Sequence, residues 1–249
     1  RDDVESRGLG DVYKRQVMGY YYYYGFDPLY FLILISVVIA MVAQYKVKST
    51  YSKYSRVRSD LGLTGAQAAQ KILNMNGIYD VSIQHIAGDL TDNYNPRNKV
   101  LSLSDAVYNS TSIAAIGVAA HECGHAIQHD VGYAPLLIRN TIAPVVNIAS
   151  SLSWIFIAAG LFFGMSPTLI DVGIIMFSLA VLFELITLPV EFNASGRALT
   201  ILSDSGMLYP DETAGAKKVL SAAAMTYVAS ALTAVLQLLR LIMLFGRRS

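Results

Sequence analysis

One cysteine in 249 residues, Cys123, excludes an internal disulfide and any zinc cluster built from thiolates. Charge is also scarce: Asp, Glu, Lys and Arg make up 15% of the chain, against roughly 25% in a typical soluble domain. With 54% hydrophobic residues, the composition is too apolar for an ordinary cytosolic enzyme and points to a membrane protein. The net charge of +1, with no basic tract interleaved with aromatics, argues against nucleic acid as a partner. No internal repeat or low-complexity domain stands out.

The first residues are set apart before any fold is considered. Asp11-Val12-Tyr13-Lys14-Arg15-Gln16 back-translates to GATGTGTATAAGAGACAG, which looks like a transposon end used in preparing sequencing libraries. Residues 1–16 are therefore expected to be a sequencing or cloning artefact, with the native start near Met18 and residues 17–249 forming one membrane domain.

Four apolar stretches approach the roughly 20 helical residues that cross a bilayer: 28–43, 143–163, 169–190 and 225–245. Tyr21 to Tyr24 and Tyr30 form an interfacial aromatic belt beside the first. The fourth contains Gln237 and Arg240, and Arg240 is expected to snorkel towards an interface. Glu184 in the third is expected to make a structural hydrogen bond, since an unpartnered carboxylate in a span is costly. Lys46, Lys48, Lys53, Arg56 and Arg58 follow the first stretch, so the positive-inside rule places residues 44–142 in the cytoplasm. Ser166-Pro167-Thr168, without Lys or Arg, suits the outer side, whereas Arg247 and Arg248 carry the opposite signal.

The chemistry lies in His121-Glu122-Cys123-Gly124-His125. Ser112 to His129 is rich in alanine and apolar residues, with Asp130 and Gly132 as stop signals, so a single buried helix is expected. Histidines four apart then share one face and can grip one Zn²⁺, with Glu122 beside the open coordination position. There it can take a proton from an activated water and pass it to a leaving amine. The competing reading, two ordinary core histidines, leaves two imidazoles and a carboxylate buried without partners. Cys123, about 200° around the helix from His121, points away and packs.

The second and third spans form a hairpin, so the chain after the third returns to the side of His121 and His125. Glu191 stands there, in a run to Leu199 that is expected to be helical despite Asn193 and Gly196. It completes a His₂Glu set, typical of catalytic zinc, with one position left for water. His129 lies about 12 Å along the helix from His121, too far for the same ion. Asp130 reads as a helix-end residue and His85 as one face of a strand. Glu184 lies roughly 10 Å deeper than Glu191.

Between the first two spans, Thr64 caps a helix running to about Asn76, with Gly77 as its stop. Asp80 to Ile86 and Lys99 to Leu103 are expected to pair as a β-hairpin around Asn95-Pro96-Arg97-Asn98. An exposed edge of that hairpin could hold an extended substrate by strand addition. The fold class expected is thus mainly α: a multi-span helical membrane protein with a zincin-like HExxH helix and a small hairpin.

From Phe26-Asp27-Pro28 onward the chain resembles the YugP-type membrane zinc metallopeptidases of bacteria. The segments that carry the likeness include Leu63-Thr64-Gly65-Ala66, Leu90-Thr91-Asp92, Ala119-Ala120-His121-Glu122, Gly132-Tyr133-Ala134-Pro135, Leu188-Pro189-Val190-Glu191-Phe192 and Gly215-Ala216-Lys217-Lys218-Val219-Leu220. The resemblance implies His121, His125 and Glu191 as ligands of one Zn²⁺, Glu122 as the catalytic residue, and a peptide or membrane-protein substrate at the bacterial cell membrane. It also marks departures: Ser195 follows Ala194 where Asp is expected, and Asn193 and Gly196 replace Asp and Arg. A carboxylate that orients a histidine is therefore expected to be missing or supplied elsewhere.

The function expected is hydrolysis of peptide bonds by a membrane-embedded zinc endopeptidase. The alternatives are a catalytically silent membrane scaffold that keeps the fold, favoured by Asn193 and Gly196, and a transporter using Glu184 and Arg240. Arg197 or Tyr94 could donate to a developing oxyanion, but each is more simply a salt-bridging or packing residue.

Overall fold

The computed structural model describes residues 29–164 and 166–245. Residues 1–16, the Tyr21 to Tyr24 belt and the Arg247 and Arg248 pair lie outside them. In chain order the elements are α1 (Leu29–Tyr54), α2 (Gly65–Met75), β1 (Ser82–Ile86), β2 (Asn93–Asn95), β3 (Val100–Ser104), α3 (Ile113–Asp130), α4 (Ala134–Phe162), α5 (Pro167–Asp204) and α6 (Pro210–Phe245).

Helices α1, α4, α5 and α6 are long and apolar enough to cross a membrane. α5 and α6, with 38 and 36 residues, far exceed the roughly 20 that a bilayer core needs. The surplus is placed systematically. α1 and α5 run on past the C-terminal ends of their apolar stretches, while α4 and α6 begin before theirs. The up-and-down order puts all four extensions on one side, with α2, α3 and the sheet. α5 passes through Pro189 and Gly196 without a break, so Glu191 sits on a helix continuous with its span. α4 and α5 form the expected hairpin, and they approach so closely that a Cβ on Gly173 would lie 2.6 Å from Ile157 Cγ1.

Two environments result. Phe31, Leu34, Ile35, Val38, Met41 and Val42 on α1 are all exposed. A surface like this is tolerable in lipid and is an aggregation hazard in water. By contrast Ile72 and Leu73 of α2, Leu101 and Leu103 of β3, Ile116 of α3 and Leu202 of α5 are fully buried in one core. Each such side chain contributes about 1.5–3 kcal/mol. α2 starts as its sequence predicts, with Thr64 and Gln67 exchanging side-chain and backbone hydrogen bonds in a capping box.

The strand pairing differs from the expected hairpin. β1 pairs with β3 in parallel, Ser82 opposite Val100, and the antiparallel partner of β3 is the three-residue β2. The turn at Pro96 to Lys99 closes β2 onto β3, while β1 reaches the far edge of β3 by a crossover, giving the order β1-β3-β2. β2 is too short to display the period-2 pattern that reveals a strand. Glu184 also departs from expectation: half-buried in its span, it makes no hydrogen bond among the described residues. The Arg240 guanidinium lies over the Tyr30 ring, 4.0 Å from its centroid.

Candidate metal centre

Ser112 caps α3, its Oγ accepting from Ala115 N–H at 3.2 Å. The helical repeat then stacks His121 and His125 one turn apart, ring centroids 4.8 Å from each other and nearly perpendicular. Gly124, on the face turned to α5, allows the two backbones to meet. A Cβ there would stand 2.6 Å from the carbonyl oxygen of Ala194.

This contact delivers Glu191. Its Oε2 lies 3.3 Å from His121 Nε2 and 3.6 Å from His125 Nε2. Nitrogen and carboxylate ligand atoms of the three residues lie within 4.8 Å of one another, a group that could hold a metal ion. Glu191 Oε2 is buried and has no hydrogen-bond partner. An acceptor stranded in this way is destabilising by about 1–3 kcal/mol, more if charged, and a cation between it and the two imidazoles removes the penalty. The donor set thus fits a metal on chemistry alone. The other carboxylate oxygen, Oε1, accepts from Arg139 of α4 at 3.2 Å.

The outer nitrogens of both rings are held from behind. Gln128 Nε2 donates to Val190 O at 2.8 Å and Asn193 Oδ1 at 2.9 Å, which turns Gln128 Oε1 towards His125 Nδ1 at 3.0 Å. An amide oxygen only accepts, so His125 carries a proton on Nδ1, which leaves Nε2 as the ring nitrogen that can ligate a cation. His121 Nδ1 is 3.1 Å from Ser195 Oγ on α5. Ser195 and Gln128 therefore fill the orienting role that the expected loss of a carboxylate left open. Asn193 is engaged too, accepting from Arg197 Nε at 2.9 Å.

Glu122 is 8% exposed. Burial raises its carboxyl above the usual glutamate range, and the neighbouring imidazoles offset this only in part. A cavity of ≈ 170 Å³ is lined by His121, Glu122, His125, Arg139, Glu191 and Tyr227. A second, ≈ 180 Å³, also reaches His121, Glu122 and Tyr227, but its other walls include Val47, Leu90 and Val118. The HExxH face thus opens both to a polar space and to an apolar one.

The remaining candidates lie elsewhere. His129 Nδ1 is 2.9 Å from Tyr94 Oη, and Asp130 is exposed at the helix end. His85 pairs with Asp105 at 2.7 Å. Cys123 is fully buried, its Sγ 3.6 Å from Ala69 O on α2, and burial pushes its thiol pKa up. Arg139 and Tyr227 were missed in the sequence because neither belongs to a motif. Gln128 left a faint signal, as a polar residue three positions after His125 in an apolar helix.

The family described as "Putative neutral zinc metallopeptidase" matches residues 29–246. The chain belongs to this family. Over 215 residues, 86% of this chain and 95% of the relative, it is 49% identical to "Putative membrane protease YugP" of Bacillus subtilis (strain 168). No solved structure matches the chain. Membership of a zinc peptidase family makes zinc the metal implied for the His121, His125 and Glu191 group.

Proposed function

We propose that the chain is a membrane-embedded zinc endopeptidase in which His121, His125 and Glu191 hold one Zn²⁺ and Glu122 is the general base and acid. The observation that carries this reading is the buried, unpartnered Oε2 of Glu191 facing both Nε2 atoms. When bound there, Zn²⁺ supplies a Lewis acid that polarises a scissile carbonyl and makes water easier to deprotonate. The residues do the rest. Glu122 takes a proton from the attacking water as its oxygen bonds to the carbonyl carbon, and then delivers that proton to the amine as the C–N bond breaks. Ser195 and Gln128 fix the imidazoles, and Arg139 fixes Glu191.

The substrate is a peptide or a segment of a membrane protein. β2 is an edge strand, and its own Asn93 and Tyr94 line the cavity that holds His121 and Glu122. An extended segment adding along this edge would pass the reacting groups. The lysines and arginines after the first apolar stretch favour a site on the cytoplasmic side of the bacterial cell membrane.

Detergent-purified protein and its Glu122→Gln variant test the assignment. We expect near-stoichiometric zinc in both by elemental analysis, with peptide hydrolysis reduced about 10²–10⁴-fold in the variant. Zinc bound by the native chain without any Glu122-dependent hydrolysis of peptides or membrane-protein segments would favour a silent scaffold.

A further inference from the structure

A groove of ≈ 990 Å³ runs between α1, α5 and α6, a volume typical of ligand sites. Of the residues at the metal centre it touches only Ser195. Lys46 and Lys53 of α1 and Lys217 and Lys218 of α6 line it, with no Asp or Glu. All four lysines are exposed, and none forms an ion pair among the described residues. In a chain whose net charge is only +1, this is a local excess of positive charge without an internal counterweight.

The placement of the groove narrows the ligand. Lys46 comes three residues after the first apolar stretch, Phe192 two residues after the third, and Met225 opens the fourth. One end of the groove therefore lies where the hydrocarbon core ends, and the other extends into the headgroup zone. Phe192 and Met225, at the membrane end, are 50% and 45% exposed. Within the groove, Gly196 faces open space, with nothing within 4 Å of where a Cβ would stand.

We propose that this groove seats an anionic phospholipid, with its phosphate among the four lysines and an acyl chain leaving past Phe192 and Met225. Basic pockets between spanning helices suit such headgroups, and each lysine near the surface adds to the attraction. A free anion would make no use of the apolar end, and a zwitterionic lipid would bring a cationic amine towards the lysines. The inference rests on the membrane placement and is independent of the peptidase reading.

The test is native mass spectrometry of the full chain released from a neutral detergent, with phosphatidylglycerol and phosphatidylcholine supplied in equal amounts. We expect phosphatidylglycerol to be retained preferentially, and Lys46→Gln with Lys217→Gln to weaken its binding about thirtyfold. Gly196→Leu keeps every charge but fills the slot, and should weaken binding about tenfold while the thermal midpoint in neutral detergent does not fall. Equal retention of both lipids, or phosphatidylglycerol binding unmoved by both variants, would overturn the proposal. Displacement of the lipid by glycerol phosphate or by an acidic peptide at similar concentration would also overturn it, and would make the groove a plain anion or peptide site.

Discussion

Along the apolar spans, hydroxyl side chains turn back on their own helix. Ser36 donates to Ile33 O at 2.8 Å, Ser178 to Ile174 O at 2.8 Å and Thr187 to Phe183 O at 2.9 Å. At the metal centre, polar side chains reach across instead: Ser195 of α5 meets His121 of α3, Gln128 of α3 meets Val190 and Asn193 of α5, and Arg139 of α4 meets Glu191. In lipid a hydroxyl with no water nearby takes the nearest carbonyl, which lies one turn back and fixes nothing beyond its own helix. A side chain that spans two helices fixes their relative position. The polar side chains that tie α3, α4 and α5 together thus converge on the centre.

The comparison can be broken most severely at the two glutamates of α5. Glu191→Ala should abolish stoichiometric zinc binding, whereas Glu184→Ala, two turns deeper, should leave it intact; elemental analysis reads both. Zinc retained in Glu191→Ala would move the third ligand elsewhere. Two glycines come next, Gly124 of α3, which faces Ala194, and Gly196 of α5. Gly124→Ala forces a methyl against the Ala194 carbonyl and should destabilise the chain by about 1–3 kcal/mol, seen as a lower thermal midpoint and weaker zinc binding. Gly196→Ala meets nothing and should gain up to about 1 kcal/mol from helix propensity. Smaller still is the contrast between serines. Ser195→Ala should lower zinc affinity about 10–100-fold, measured by chelator competition. Ser178→Ala should stay within about 0.5 kcal/mol of the native stability and leave zinc affinity unchanged.

These contrasts also explain what could be read in the sequence. His121, Glu122 and His125 were legible because a helix fixes their relation over four residues, and Glu191 because the α4–α5 hairpin returns it to the same side. The four apolar helices were legible from length and composition, though their extensions beyond the bilayer were not, since a helix ending in water keeps no apolar run. Ser195 looked like the loss of a carboxylate. Only its distance to a ring 74 positions earlier reveals that it holds that ring. Apart from its place four residues after Glu191, nothing in the sequence marks it as a residue that would hold a histidine. The sheet failed for a related reason: partner choice among three short strands is decided by the crossover and by packing on α3, neither of which leaves a periodic trace.

Cys123 has a use that its packing role conceals. It is the only thiol in the chain, it is sealed between α2 and α3, and burial keeps it protonated and unreactive. The folded protein is therefore a blank background for thiol chemistry. A cysteine placed by Thr168→Cys at the start of α5, or by Arg97→Cys in the turn after β2, would be the sole site modified by a membrane-impermeant maleimide added to intact cells. The pair would report directly which face of the bilayer each loop occupies, and a second modified thiol appearing on heating would mark the loss of the α2–α3 core.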